Sequence, residues 1–368
     1  MASHAALNLP ATYRALSFTS ASLPGTIITK PTPLPTAGTA IIRPLACNVV
    51  HYAADIYSGG NPRGYRYPLP LVPGGPCVAR VAAAPSDAPH LRPGTHAGST
   101  PESWALMEDE WRDGTWAELA RVPAENVHLL DEARLLGSRE GGASGLGYAL
   151  EDLAALYTLA VPYGGLRDVG VAAGETVLVA PATGVFSGAA VHVALAMGAR
   201  VVAMGRNEDA LRELEALDPA RVATVRMSGS AEADEENIRA AAGGRPIDVF
   251  FDISPRSAGA FPHARAGILC LRYGGRASLM GGVMGDLEIP YGQVVHKGLR
   301  IQGTFMYTPQ QADELIRMVE TGVLRIGEGR GMKCVGRFDL EQWAQAFKTA
   351  SRDGAKMGRF VILQPNKE

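Results

Sequence analysis

The clearest pattern of apolar positions lies in the middle of the chain. Residues 176–180 form a short Val-rich run bounded by turn-forming residues, which is typical of a strand buried on both faces of a parallel sheet. Residues 181–188 predict a turn, residues 189–197 a helix that ends at Gly198, and residues 200–204 a second buried strand. This order of strand, turn, helix and strand predicts one βαβ unit.

The alternation of helices and buried strands continues after this unit, whereas the part before it has a different pattern. The earlier part has β-leaning runs separated by Pro and Gly turns, at 13–18, 25–30 and 39–50. They predict an antiparallel, partly barrel-like region. The later helices and strands are predicted at 210–217, 221–226, 232–242, 247–252, 276–280, 299–305, 309–322, 340–352 and 358–363. The predicted fold class is α/β, with a β-rich domain and a doubly wound parallel sheet.

The turn between the first of these strands and its helix carries a modified dinucleotide-binding pattern. The three glycine positions of the G-x-G-x-x-G fingerprint are occupied by Ala182, Gly184 and Ser187. The N-terminal end of the following helix offers unpaired N–H groups and a positive dipole end, which suit a pyrophosphate. The predicted cofactor contacts in this turn are Thr183, Gly184, Val185, Phe186 and Ser187.

The end of the second strand predicts which dinucleotide binds. An NAD site carries Asp or Glu there for the ribose 2′-hydroxyl group, whereas a neighbouring Arg suits a 2′-phosphate. In this chain the residues are Gly205, Arg206 and Asn207. The sequence therefore predicts NADP(H) as the cofactor.

Composition and charge narrow the classes of function. A chain of 368 residues predicts roughly two domains. The formal net charge of -2 gives no electrostatic reason to expect nucleic acid or an anionic membrane as a partner. Neither a membrane span nor a signal peptide is visible, so we expect a cytoplasmic protein. The four cysteines, which include no C-x-x-C pair, do not predict a disulfide framework or a zinc cluster.

Several segments in a fixed order resemble the medium-chain dehydrogenase/reductase superfamily. The segments are PLPLVPG, GTWAELARVPAENVHLLDE, GETVLV with its glycine turn, IDVFFD and GGRASLMGG. Together they look most similar to the zinc-free, quinone-oxidoreductase-like branch. The resemblance implies a discontinuous GroES-like catalytic domain over 1–160 and 304–368 and a Rossmann domain over 161–303. It also implies cofactor contacts at Ser254, Gly281, Gly282, Thr304 and Phe305.

The resemblance also locates the positions that hold catalytic zinc in the zinc-dependent members. In this chain they carry Tyr52, Gly75 with Pro76, and Tyr157. These residues are poor zinc ligands, so we expect no metal. A phenol can instead donate a hydrogen bond to a carbonyl oxygen or deliver a proton, which makes Tyr52 and Tyr157 the predicted catalytic residues. His51 is interpreted as a structural or substrate-contacting group.

These features favour an NADPH-dependent oxidoreductase that transfers hydride to a conjugated carbonyl compound, such as an enone or a quinone-like small molecule. Without a Lewis acid, hydride passes more easily to an activated alkene than to an isolated ketone. One alternative is a zinc-free alcohol dehydrogenase, ketoreductase or natural-product tailoring enzyme of the same fold, and another is a non-enzymatic nucleotide-binding protein. The resemblance further implies a homodimer formed through the segment 282–305.

Overall fold

The computed structural model describes residues 8–85, 87–88, 91, 96–99, 112–138, 144–256 and 262–367. The strands are β1 (Thr12–Ser17), β2 (Thr26–Pro31), β3 (Thr39–Val49), β4 (Cys77–Ala83), β5 (His96–Ser99), β6 (Ala120–Pro123), β7 (Val127–Leu129), β8 (Thr176–Val179), β9 (Arg200–Gly205), β10 (Val222–Arg226), β11 (Ile247–Asp252), β12 (Leu271–Leu279), β13 (Arg300–Gly303), β14 (Lys333–Asp339) and β15 (Arg359–Gln364). The α-helices are α1 (Ala53–Tyr57), α2 (Glu132–Leu136), α3 (Leu156–Asp168), α4 (Val185–Ala196), α5 (Glu208–Glu215), α6 (Ala231–Ala241), α7 (Pro262–Cys270), α8 (Tyr291–Lys297), α9 (Pro309–Glu320) and α10 (Trp343–Arg352). Within these described residues, no helix has the length and apolar character needed to cross a membrane.

The chain divides into two compact units. The first unit comprises Met1–Tyr157 and Ile326–Glu368, and the second comprises Thr158–Arg325. The predicted domain limits of 1–160, 161–303 and 304–368 follow the family resemblance rather than contacts, and they stay a prediction. Residues 304–325 belong to the second unit because α9 is bonded to α3, for example by Gln311 Nε2 donating to Asp168 Oδ1 at 2.7 Å.

The first unit is rich in β-structure. A two-stranded sheet pairs β1 with β2, and a seven-stranded sheet has the order β14-β15-β3-β4-β5-β7, with β6 pairing with β3. The pairs among β1 to β7 are antiparallel, as the sequence predicts, whereas β14 and β15 are parallel. Helix α10 contributes Phe347 to the core of this unit, where its ring lies 5.2 Å from the ring of Trp116 and 6.2 Å from that of Phe18.

The second unit is a doubly wound sheet. Its six strands have the order β10-β9-β8-β11-β12-β13 and all neighbours are parallel. Numbered within the unit, this is the 3-2-1-4-5-6 order of dinucleotide-binding folds. The order reverses between β8 and β11, and ligands of such sheets bind outside the carboxyl ends of the strands at that point. The predicted α/β fold class is confirmed.

The predicted boundaries hold best for strands buried on both faces. Strand β11 has the predicted bounds, and all of its residues are buried. Strand β6 begins only at Ala120, since residues 115–119 pair with β1 only through the bridge between Ala15 and Ala117. Helix α4 begins at Val185, and the predicted start at residue 189 is therefore wrong. The reason is that Gly184 serves as the N-cap, with its N–H donating to Ser187 Oγ at 2.9 Å.

Candidate functional site

The glycine turn lies between β8 and α4. Gly184 has an extended backbone and is followed by Val185, Phe186 and Ser187 in the first turn of α4. The first turn of this twelve-residue helix contains no acidic residue. The positive end of the helix dipole and the unpaired N–H groups are therefore not neutralised by a carboxylate of the same turn. This geometry suits a phosphate group.

The end of β9 lies directly against this turn. The N–H of Ala182 donates to the carbonyl oxygen of Met204 at 2.7 Å. A Cβ atom placed on Gly205 would lie 2.4 Å from Cγ2 of Thr183, which is closer than real Cβ atoms approach. Only glycine fits at position 205 with this turn in place. The acidic residue that typifies NAD sites is thereby excluded from this position.

The residue after Gly205 places a positive charge at the carboxyl end of β9. Arg206 is exposed, and its side chain has no ion-pair partner in the described part of the chain. The neighbouring carboxylate of Glu208 is engaged by Arg226, at 3.0 Å. The Asn207 side chain caps α5 by accepting from the N–H of Ala210 at 3.2 Å. Arg206 is therefore the cation at this strand end that is available to an anionic ligand.

A buried polar network follows the carboxyl end of β11. The hydroxyl of Ser254 donates to Asp252 Oδ1 at 2.5 Å and lies 3.0 Å from Nε2 of His263. The N–H of Gly282 donates to the carbonyl oxygen of Ser254 at 2.9 Å, and a Cβ atom on Gly281 would lie 2.8 Å from Asp252 Oδ2. Ser254 stays a predicted cofactor contact, although its hydroxyl is engaged within the chain. The sequence reasoning missed Asp252 and His263, because nothing in their spacing signals that they meet.

Thr304 and Phe305 follow β13. The N–H of Thr304 donates to the carbonyl oxygen of Leu279 at 3.1 Å, and its hydroxyl donates to Asp168 Oδ2 at 3.0 Å. The side chain of Phe305 is 84% exposed. The backbone of this pair is thus fixed on the sheet while the phenyl ring is not packed.

The structure joins the predicted cofactor residues of the second unit into groups at the carboxyl ends of β8, β9, β11 and β12. The glycine turn contacts Gly205, and Ser254 contacts Gly281 and Gly282. Among the described residues, neither Thr304 nor Phe305 makes a hydrogen bond to either group. The first two groups lie on either side of the reversal in strand order.

Tyr52 is the centre of an aromatic cluster in the first unit. It is the N-cap residue of α1, and its ring is parallel to that of Tyr65, with centroids 6.3 Å apart and an interplanar angle of 3°. The ring of His51 meets it edge-on at 4.9 Å, and the guanidinium of Arg63 lies 4.2 Å from its centroid. Contacts on several sides fix the orientation of the phenol.

The electrostatic environment keeps this phenol protonated. Burial raises the pKa of Tyr52, and the neighbouring Tyr157 and Tyr65 raise it further, although Arg63 acts in the opposite direction. The structure therefore brings the two predicted catalytic tyrosines close to each other. Burial and the charge of Arg63 lower the pKa of His51, so its imidazole is neutral at pH 7. The cluster presents a neutral hydrogen-bond donor beside a neutral imidazole.

The positions that hold zinc in zinc-dependent dehydrogenases offer a poor donor set in this chain. The carbonyl oxygen and N–H of Gly75 are both bonded to the hydroxyl of Thr115, at 2.6 and 3.0 Å. A Cβ atom on Gly75 would lie 2.7 Å from the carbonyl oxygen of Asn48, which leaves no space for a ligating side chain. Among the described residues, no group of three or more His, Cys, Asp or Glu side chains is placed to hold a metal ion. Cys47, Cys77 and Cys270 are buried free thiols, and Cys334 is half-buried.

A cavity of about 560 Å³ lies beside the aromatic cluster and was not predicted. Its lining includes Asn61, Tyr65, Arg66, Tyr67 and Arg112. Its two arginines, Arg66 and Arg112, are far apart in the chain. Only the fold brings them to one cavity.

Comparison with known proteins is consistent with this geometry. Residues 187–321 match the family described as zinc-binding dehydrogenase. The quinone oxidoreductase of Sus scrofa is 24% identical over 341 residues, which are 90% of this chain and 91% of that protein. Among solved structures, AibC superposes with a TM-score of 0.76 at 19% identity and covers 98% of both chains. The crotonyl-CoA carboxylase/reductase AntE in complex with NADP superposes with a TM-score of 0.72 at 14% identity, covering 96% of this chain and 95% of that one.

Proposed function

Because this chain belongs to the medium-chain dehydrogenase/reductase superfamily, we propose that it is an NADPH-dependent oxidoreductase that reduces a conjugated carbonyl compound without zinc. The observation that carries this proposal is the half-buried, protonated phenol of Tyr52 among side chains that make a poor metal site. A conjugated acceptor needs a hydrogen-bond donor at its carbonyl oxygen rather than a Lewis acid. The names of the quinone oxidoreductase relative and of the NADP complex support the same conclusion.

The residues of the second unit fit an NADP molecule. The glycine turn and the first turn of α4 would hold the pyrophosphate, since their N–H groups have no carboxylate neighbour in that turn. Arg206 would pair with the 2′-phosphate, because it is exposed and has no ion-pair partner among the described residues. Gly281 and Gly282 would let the backbone approach the cofactor closely, since no Cβ atom fits at Gly281.

Tyr52 supplies the hydrogen bond that stabilises the reduced acceptor. When bound, the cofactor supplies a hydride, which carries two electrons, to the β-carbon of the acceptor. The electron pair of the carbon–carbon double bond then shifts, and negative charge collects on the carbonyl oxygen. The hydroxyl of Tyr52 donates to that oxygen, and the proton that completes the reduction comes through Tyr52 or from solvent. Tyr157 is the second candidate donor.

We also propose a homodimer formed at the edge of the six-stranded sheet. Strand β13 is the last strand of that sheet, so one of its edges has no strand partner among the described residues. The segment 282–305 exposes large apolar side chains, with Tyr291 and Val295 at 74% and 62% exposure, and Tyr273 of the neighbouring strand β12 is 63% exposed. Pairing of this edge with its copy would cover both the open backbone groups and these side chains.

The deciding experiment follows oxidation of NADPH by absorbance with a panel of enones, quinones, saturated ketones and aldehydes. Reduction of enones or quinones at least tenfold faster than saturated ketones is the expected result. Turnover of saturated ketones alone would favour the ketoreductase alternative. Tight NADPH binding without turnover of any compound in the panel would contradict the proposal.

The first prediction concerns the cofactor. Replacing Arg206 by Ala should weaken NADPH binding by roughly 1.5 to 3 kcal/mol, because one charge-assisted hydrogen bond is lost. NADH binding should hardly change, since NADH has no 2′-phosphate. Fluorescence titration measures both dissociation constants. The matched control is Arg245→Ala, an exposed arginine before the amino end of β11. Equal losses for NADPH and NADH would count against the role of Arg206.

A second prediction concerns the donor. Tyr52→Phe removes one hydroxyl and keeps the ring, so kcat should fall about 100-fold while NADPH affinity is retained. Burial raises the pKa of Tyr52 above the ordinary tyrosine pKa of about 10, so the phenol stays protonated at any pH below that. The Tyr52-dependent rate should therefore not fall between pH 7 and 9. Tyr13→Phe is the control, because Tyr13 is also buried in the first unit but has no predicted role. Full turnover by both Tyr52→Phe and Tyr157→Phe would assign protonation to solvent.

Zinc independence can be measured directly. Purified enzyme should contain far less than one zinc per chain by elemental analysis, because Gly75 has no space for a ligating side chain. Prolonged exposure to a strong chelator should leave both turnover and the unfolding temperature unchanged. Stoichiometric zinc, together with loss of turnover on chelation, would overturn this part of the proposal.

The proposed dimer predicts a particle of twice the 38.8 kDa chain mass. Light scattering at micromolar concentration should give this value for the wild type. Val295→Glu should shift the mass toward one chain, because it places a charge among the exposed apolar side chains of the edge segment. Val323→Glu is the control, since Val323 is similarly exposed, at 59%, but lies outside that segment. A monomeric wild type would rule the dimer out under these conditions.

A further inference from the structure

The cavity beside the aromatic cluster has a cation without an ion-pair partner in its wall, which is Arg66. Arg66 and Arg112 both line it, and no carboxylate is among its described lining residues. The side chain of Arg66 is exposed and has no ion-pair partner within the described ranges. Two acidic residues close in sequence are already neutralised, because Asp55 is paired with Arg63 at 3.1 Å and Asp113 with Lys30 at 2.6 Å. The cavity therefore attracts an anion.

The loop that carries Arg66 is held rigidly. The side chain of Asn61 donates to the carbonyl oxygen of Tyr65 at 2.6 Å and accepts from its N–H at 3.1 Å. The N–H of Gly64 donates to the carbonyl oxygen of Asn61 at 2.9 Å. The hydroxyl of Tyr67 donates to the carbonyl oxygen of Ile56 at 2.5 Å. Arg66 thus lies between two anchored tyrosines. An anion that binds there does not have to order the loop first, which favours affinity.

The cavity and the candidate donor share a wall. Tyr65 lines the cavity, and its ring is stacked on that of Tyr52 with centroids 6.3 Å apart. A ligand held in the cavity is therefore one aromatic ring away from Tyr52. The faces and edges of Tyr65 and Tyr67 also suit a planar conjugated group.

We propose that this cavity binds an anionic group of the substrate, a carboxylate or a phosphate, through the guanidinium of Arg66. The inference rests on the proposed reductase function and specifies its substrate class: a conjugated carbonyl compound that carries an acidic group. A guanidinium offers two parallel N–H donors, which match both carboxylate and phosphate oxygens.

The test compares three probes that differ only at one ring position. They are trans-4-phenyl-3-buten-2-one, its para-carboxylate and its para-phosphate ester. In the wild type, kcat/KM for at least one anionic probe should exceed that for the neutral probe about tenfold at low salt, and the ratio should fall as salt is added. Arg66→Ala should lower this ratio about tenfold, which corresponds to roughly 1.4 kcal/mol. Arg66→Lys should retain part of it, because the charge remains but the paired donors are lost.

The control variant is Arg330→Ala, an exposed arginine of the first unit that does not line the cavity. It should keep the wild-type ratio. A ratio near one in the wild type, or one that Arg66→Ala leaves unchanged, would overturn the inference while the proposed reductase function stands. The two anionic probes separate the sources, since preference for one identifies a carboxylate or a phosphate.

A binding measurement keeps the inference testable if none of the three probes is reduced. Benzoate and phenyl phosphate are titrated into the enzyme by calorimetry, with Arg66→Ala and Arg330→Ala in parallel. Binding of either anion that weakens about tenfold only in Arg66→Ala would support the site, and the proposed reductase function alone would then have failed. Absence of binding, or equal binding to all forms, would overturn the inference.

Discussion

The close approach of the glycine turn to the end of β9 is the constraint on which the second unit depends. The N–H of Ala182 is bonded to the carbonyl oxygen of Met204, and no Cβ atom fits between Gly205 and Thr183. This contact holds the turn that leads into the first turn of α4, where the unpaired N–H groups lie. It also removes the acidic side chain of an NAD site and leaves Arg206 as the charged group at the strand end. One packing requirement therefore underlies both the proposed phosphate site and the proposed preference for NADP(H).

A similar steric requirement shapes the first unit. Gly75 is bonded through both backbone groups to the hydroxyl of Thr115 and lies against the carbonyl oxygen of Asn48. A ligating side chain at this position would need the backbone at Gly75 to move away from β3. In the proposed reaction, the chemistry of the site would then come from hydrogen-bond donors. Tyr52 would meet that need because stacking fixes its orientation and burial holds its proton.

The fold could be predicted from the sequence where local pattern and burial agree. Strand β11 and the Val-rich strand β8 are buried on both faces, so an uninterrupted apolar run is a sufficient signal. The start of α4 was missed because glycine caps the helix without a side chain, and the capping bond comes from Ser187 instead. The network of Asp252, Ser254 and His263 and the cavity of Arg66 and Arg112 join residues that are apart in the chain. Such sites are determined by tertiary packing, which sequence spacing does not report.

Tyr52 and Arg66, the two proposed substrate-binding groups of the first unit, would act on different charges of the substrate. Arg63 lies over the ring of Tyr52 but is paired with Asp55, and burial outweighs its effect on the phenol, so Tyr52 stays neutral. A neutral donor interacts most strongly with charge that develops during hydride transfer, which raises kcat. Arg66 is not paired within the described residues and meets a charge that the substrate carries from the start. In the proposed site, such an interaction would be equally strong in the ground state and the transition state, so it would lower KM and leave kcat to Tyr52. Because these two roles belong to different side chains, the site would bind an acidic acceptor through Arg66 without weakening the stabilisation of the transition state by Tyr52.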